Sequence, residues 1–92
     1  MVVDDPTIKK LQIHPMLHII AAEYISDYKI SVAFNDGSRC VADFERVVKS
    51  DHRPIVQQLS NLDLFRDFKV QANTVVWGNG VDFAPEFIKE LG

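Results

Sequence analysis

The chain has 92 residues, of which 47% are hydrophobic and 25% are charged, and its net charge is −3. This composition excludes a disordered tail and a repeat array, and the scattered basic residues argue against binding to duplex nucleic acid, which needs a clustered basic patch. No apolar run reaches the roughly 20 residues that a membrane-spanning helix needs. We therefore expect one small cytoplasmic domain over residues 1–92, or the amino-terminal domain of a longer protein.

The first half of the chain has the composition of β-strands. Residues 7–13 and 17–24 are rich in apolar and β-branched side chains. Residues 28–34 alternate between apolar side chains and smaller or polar ones, and residues 38–44 follow the turn signal Asn35-Asp36-Gly37. We expect strands over these four ranges, with the last two forming a hairpin.

The register of that hairpin follows from its apolar side chains. A two-residue loop mixes charged and apolar groups on one face, whereas a three-residue loop sets Val32 opposite Cys40 and Ile30 opposite Ala42. The longer loop also suits a type I turn closed by a glycine in the left-handed region, here Gly37. It directs Cys40, the single cysteine, into the core, which predicts a structural residue rather than a nucleophile.

Short helices are predicted in the middle of the chain, over residues 45–49, 54–59 and 62–66. The second of them begins at Pro54, which the first turn of a helix tolerates, and Asp51 is placed to cap it.

A second hairpin is predicted over residues 68–71 and 74–77, with Val70 opposite Val75 and the aromatic pair Phe68 and Trp77 facing each other. A last helix is predicted next, with Asp82 near its start and Pro85 in its first turn, and its apolar face at spacing four is formed by Phe83, Phe87 and Leu91, with Ile88 alongside. The order of elements predicts an α+β fold: a small antiparallel sheet of two hairpins, with short helices and a carboxyl-terminal helix.

No catalytic or metal-binding motif is present in the sequence. His14 and His18 flank Pro15 in an extended segment, which does not give the ligand spacing of a helix. The turn Gly78-Asn79-Gly80 lacks the lysine of a phosphate-binding loop, and Asp82 would repel an anion. We therefore expect no metal, no cofactor and no enzymatic activity.

The second face of the first hairpin has a mixed character. It is formed by residues of both strands: Lys29, Ser31, Ala33, Arg39, Val41 and Asp43. If helices cover only one side of the sheet, this face is free to bind a partner, and the alternative is an ordinary solvated face.

Several of these residues resemble a known pattern. The hairpin with Phe34-Asn35-Asp36-Gly37, the later Asp43, and the stretch from Trp77 through Asn79, Gly80 and Asp82 to Pro85 are similar to a small prokaryotic domain-of-unknown-function family, number two-four-four-two. The resemblance covers about residues 20–88 and departs at Gly78, where the family usually has proline. It implies an α+β fold without established catalysis, occurring alone, in front of the helix-turn-helix domain of regulators, or beside toxin-like partners.

Two hypotheses about function follow. The first is a non-catalytic interaction or regulatory module, linked to transcription regulation or a toxin–antitoxin pair, that binds another protein or its own copy through a sheet face or edge. The alternative is a small-molecule-binding or enzymatic domain with a pocket near Trp77, Asn79 and Asp82. The candidate binding residues are Trp77, Asn79, Gly80, Asp82, Pro85 and Asp43.

Overall fold

A computed structural model of the protein describes residues 16–92. Its strands are β1 (Ile19–Ser26), β2 (Lys29–Phe34), β3 (Arg39–Asp43), β4 (Phe68–Gln71) and β5 (Thr74–Trp77). Its helices are α1 (Glu45–Ser50), α2 (Pro54–Gln57), α3 (Leu62–Phe65) and α4 (Pro85–Glu90), and a 3-10 turn (Gln58–Ser60) follows α2. The predicted α+β fold is confirmed, with the two hairpins in two separate sheets. The predicted strand over residues 7–13, together with His14, lies outside the described residues.

The first sheet has the strand order β1-β2-β3 and is antiparallel throughout. The predicted register is confirmed, since Val32 pairs with Cys40 and Ile30 pairs with Ala42. The amide of Gly37 donates to the carbonyl of Phe34 at 3.1 Å, and Gly37 has a φ of +90°. This is the expected three-residue loop, in which the last position favours glycine because φ is positive.

Strand β1 forms one edge of this sheet and is irregular at both ends. Its pairing with β2 shifts register between Ile19 and Ala21 and again between Tyr24 and Ser26. The side chains in the two gaps, Ile20 and Ile25, are exposed. Such bulges are common on edge strands, because they bend an edge away from unwanted pairing.

The second sheet is the hairpin of β4 and β5. Phe68 pairs with Trp77 as predicted, and Ala72 and Asn73 both have positive φ, as a two-residue type I′ turn requires. The amide of Trp77 also bonds the carbonyl of Val81 at 2.9 Å, so the chain folds back along β5. The amide of Ile19 donates to the carbonyl of Asn73 at 2.9 Å and links the two sheets.

The core lies between one face of the first sheet, the second hairpin and the helices. Aromatic rings dominate its centre. The ring centroid of Phe44 lies 5.3 Å from that of Trp77 and 5.8 Å from that of Phe65, in edge-to-face geometry. Contacts of this kind add about 0.5–1.5 kcal/mol each beyond the burial of area. The hydroxyl of Tyr28 donates to the carbonyl of Ser60 at 2.6 Å, which ties the 3-10 turn to the sheet.

Two local expectations are wrong in detail. Asp51 does not cap α2. Its carboxylate instead accepts a hydrogen bond from the amide of Arg53, the residue before the helix, and forms an ion pair with the guanidinium of Arg53 at 2.7 Å. Cys40 is half-buried rather than enclosed, and burial raises the pKa of its thiol. In α4, Ile88 is the buried residue of the predicted apolar side, and Phe87, which is 39% exposed, stacks on Phe83. No helix of the described residues is long and apolar enough to cross a membrane.

Candidate interaction surface

Trp77 is a core residue. Its side chain is 2% exposed, and its indole Nε1 donates to the carbonyl of Phe65 at 2.8 Å. Buried indoles normally find such a partner, because an unpaired donor in the core is costly. The residue therefore anchors β5 to α3 and presents no polar atom to a ligand.

Asn79 connects the turn after β5 to helix α2. Its Nδ2 donates to the carbonyl of Ile55 at 3.1 Å and to Oε1 of Gln58 at 3.0 Å, while its Oδ1 accepts from the amide of Val81 at 3.2 Å. Gly80, next in the chain, has a φ of +91° and donates its amide to the carbonyl of Trp77. Both residues shape the turn, and the amide of Asn79 is fully engaged within the chain.

Gly78, at the position where the family it resembles usually has proline, lies next to Asp67 and bonds its backbone. The amide of Gly78 donates to the carbonyl of Asp67 at 2.9 Å, a bond that proline cannot make. A Cβ at this position would meet the carboxylate of Asp67, which lies at the end of a flexible, exposed side chain. The backbone hydrogen bond therefore joins the end of β5 to the residue before β4.

The remaining late residues do not converge with Trp77. Asp82 is exposed and its backbone bridges to Val76, while Pro85 is half-buried in the first turn of α4. A cavity of about 270 Å³ lies beside Trp77, and its lining includes neither Asn79 nor Asp82. Thr74 is the polar residue of this region that sequence reasoning missed; its hydroxyl is buried and donates to the carbonyl of Phe83 at 2.6 Å.

Asp43 ends β3 and lies two residues before helix α1. Its Oδ1 accepts from the amide of Glu45 at 3.0 Å, and its Oδ2 lies 4.0 Å from the ammonium of Lys29. It borders an open cleft of about 630 Å³ lined mainly by charged side chains of both signs: Asp43, Glu45, Arg46, Lys49, Ser50, Glu90 and Leu91. Within the part of the chain that the structure describes, no three potential metal ligands cluster, here or elsewhere.

The helices pack on one face of the first sheet, which we call the core face. Phe65 of α3 contacts Phe44 and Tyr28, and Lys89 of α4 lies over the ring of Phe34. The core-face residues of β2 are at most 1% exposed. In residues 16–92, the opposite face is more open at its edge, where Val41 is 47% exposed, while Ala33 on the middle strand is 6% exposed.

We call this opposite side the outer face, and it is built from three rows of side chains. Because directly paired residues of antiparallel strands share a face, the rows are Ala21, Ala33, Arg39, then Glu23, Ser31, Val41, and at the end of the sheet Lys29, Asp43. The centre, on β2, holds only small side chains. A shallow depression of about 360 Å³ lies there, with Glu23 at one rim and Arg39 at the other.

The structure brings together all six residues that the sequence assigned to this face: Lys29, Ser31, Ala33, Arg39, Val41 and Asp43. The ammonium of Lys29 lies 4.0 Å from the carboxylate of Asp43 at the end of the sheet. Sequence reasoning missed Ala21 and Glu23 on β1. Two bulges set the register of β1 against β2, and neither has a glycine or another local signal in the sequence.

A comparison with protein families gives one finding. The family model described as a protein of unknown function (DUF2442) matches residues 19–91, a range that includes every strand and helix given above. No curated protein and no solved structure matches the chain at a significant level.

Proposed function

The chain belongs to the family of proteins of unknown function DUF2442, and from this premise we propose that it is a non-catalytic protein-interaction module that binds through the outer face of its first sheet. The observation that carries the proposal is the one-sided packing of the helices, which leaves Val41 and Ala21 exposed to a partner, with Ser31 half-buried between them. The same proposal includes a cytoplasmic role in transcription regulation or in a toxin–antitoxin pair, because both roles depend on binding a macromolecule.

The composition of the outer face supports a protein partner. Interfaces combine a well-packed apolar centre with a polar rim, and arginine is enriched in them. Here the middle strand contributes Ser31 and Ala33, and the edge strands contribute Ala21 and Glu23 on one side and Arg39 and Val41 on the other. The surface is too shallow to enclose a small molecule, since ligand pockets are typically clefts that cover most of the ligand.

The alternative, a small-molecule site near Trp77, has weaker support. The cavity beside Trp77 is smaller than the roughly 300 Å³ at the lower end of ligand pockets. The indole Nε1 and the Asn79 amide are already bonded to Phe65, Ile55 and Gln58, so neither is available to a ligand.

Site-specific photo-crosslinking tests the proposal. A photoreactive amino acid is placed at Val41, on the outer face, or at Ile55 on α2 as a control, because the two side chains are almost equally exposed, at 47% and 45%. In the native host we expect a discrete crosslinked product from position 41 and none from position 55. Failure to form a product at position 41, or equal products at both positions, would contradict the proposed function.

A further inference from the structure

The turn after β5 contains a chemically reactive pair of residues. Asn79 is followed by Gly80, whereas the other three asparagines, Asn35, Asn61 and Asn73, precede residues that have a Cβ. An asparagine side chain reacts with the backbone nitrogen of the next residue, and the reaction is fastest before glycine, because no Cβ hinders the approach. This reaction is one reason why asparagine is thermolabile in proteins. We therefore expect Asn79 to be the most reactive asparagine of the unfolded chain.

The folded chain holds both of the reacting nitrogens in hydrogen bonds. The amide of Gly80 donates to the carbonyl of Trp77 at 2.9 Å. The Nδ2 of Asn79 donates to the carbonyl of Ile55 at 3.1 Å and to Oε1 of Gln58 at 3.0 Å. The reaction requires the first nitrogen to lose its proton and the second to leave as ammonia. All three bonds must therefore break, and the turn has to open before Asn79 reacts.

We propose that Asn79 is a deamidation site, that the folded turn protects it, and that the reaction removes the hydrogen bonds that join helix α2 to this turn. The nitrogen of Gly80 loses its proton and forms a bond to Cγ of Asn79. The bond from Cγ to Nδ2 breaks, and Nδ2 takes up a proton and leaves as ammonia. Water then opens the five-membered imide at one of its two carbonyls, which leaves an aspartate or an isoaspartate at position 79.

Neither product restores the contact with α2. The new carboxylate is ionised at neutral pH and only accepts hydrogen bonds. The carbonyl of Ile55, which is also an acceptor, then loses its donor and faces a negative charge. Isoaspartate in addition lengthens the main chain of the turn by one carbon atom, next to the point where Asp82 bridges to Val76. One opening of the turn is therefore converted into a permanent change.

Deamidation rates supply the first test. The purified full chain is kept at neutral pH in buffer or in denaturing urea, and peptide mapping by mass spectrometry follows each asparagine. In urea we expect Asn79 to react faster than the other three asparagines. In buffer its rate should be at least about tenfold lower than in urea, because the reaction then waits for a local opening. Equal rates at Asn79 in the two conditions would overturn the inference.

Two neighbouring glutamines separate a local opening from a general loss of stability. Gln58→Ala removes one of the bonds to Nδ2 of Asn79, so the reaction in buffer should become several-fold faster, with the rate in urea unchanged. Gln57→Ala is the matched control, because the exposed amide of Gln57 bonds the carbonyl of Asp51 instead. It should react like the wild type, and equal acceleration in the two variants would contradict the protection by the turn.

Hydrogen exchange tests the consequence for α2. Asn79→Asp reproduces one product of the reaction, and we expect the backbone amides of Val56 and Gln57 to exchange several-fold faster, while those of β2 do not change. Asn73→Asp makes the same chemical change at an exposed side chain in the other turn of β5, and it should leave the amides of α2 unaffected. Unchanged exchange in Asn79→Asp, or equal changes in both variants, would overturn the proposed effect on α2.

Discussion

At the scale of single residues, the late motif from Trp77 to Pro85 acts inside the fold. Its polar atoms bond other parts of the chain: the indole of Trp77 reaches α3, and the amide of Asn79 reaches α2. A turn built this way holds two distant segments together, because each bond crosses more than ten residues of sequence. The motif thus holds the middle helices against the second hairpin.

The first prediction concerns Asn79. Asn79→Ala removes the bonds to Ile55, Gln58 and Val81, and we expect the free energy of unfolding to fall by about 1–2 kcal/mol, since a carbonyl and an amide lose their partner. Urea denaturation measures this change. Gln58→Ala is the control and should cost less, because the bond from Asn79 to the Ile55 carbonyl persists. If both variants were as stable as the wild type, the structural role of Asn79 would be wrong.

At the scale of elements, the turn between β2 and β3 is joined to helix α4. The Oδ1 of Asp36 accepts from the amide and the hydroxyl of Ser38, at 2.9 and 2.6 Å, and its Oδ2 lies 3.0 Å from the ammonium of Lys89. These hydrogen bonds, those of Ser38 above all, hold the pKa of the Asp36 carboxyl far below its usual value. The ionised carboxylate is therefore the form that closes the turn through Ser38 and binds Lys89 of α4.

The second prediction is a dependence of stability on pH. Because the pKa of Asp36 is lower in the folded chain than in the unfolded one, its contribution is complete above the unfolded pKa of about 3.9 and is lost as the pH falls below it. Asp51, whose pKa is lowered to about 2 by its hydrogen bonds with Arg53, acts in the same direction. The urea midpoint should therefore fall between pH 5 and pH 2, and less steeply in Asp36→Asn. Equal slopes in the two proteins would contradict the role of Asp36.

The elements also show which parts of the fold the sequence could predict. Both hairpin registers were predicted correctly, because clean alternation and turn residues such as Gly37 act locally. The bulges at Ile20 and Ile25 could not be predicted from the sequence, because they arise where β1 adapts to the rest of the sheet. The cap assigned to Asp51 failed for a similar reason: its carboxylate bonds the nearest amide and guanidinium, both of Arg53.

The candidate site was predictable only in part. Alternation in β2 and β3 identified Ser31, Ala33, Arg39 and Val41 as one face, but only tertiary packing decides which face the helices cover. Conversely, the late motif attracted a pocket hypothesis because tryptophan, asparagine and aspartate often line sites. In the structure the first two are bonded inside the chain, and Asp82 lies outside the cavity beside Trp77.

At the scale of the whole molecule, the fold is a layer of sheet with helices on one side. A small domain buries only about 60–65% of the surface of its unfolded chain, so one face of its sheet is easily left without cover. The outer face, with Glu23 and Arg39 at its edges, is such a surface. Covering it with a partner would add a third layer and bury the second face of the sheet.

The central claim is that the outer face is covered when the protein works, and hydroxyl-radical footprinting tests this most directly. Val41, Ile55 and Phe87 are 47%, 45% and 39% exposed in the isolated chain, so all three should be oxidised in dilute purified protein. In the native host, we predict that oxidation of Val41 falls several-fold while that of Ile55 and Phe87 does not change. Oxidation of Val41 to the same extent in both settings would contradict the account.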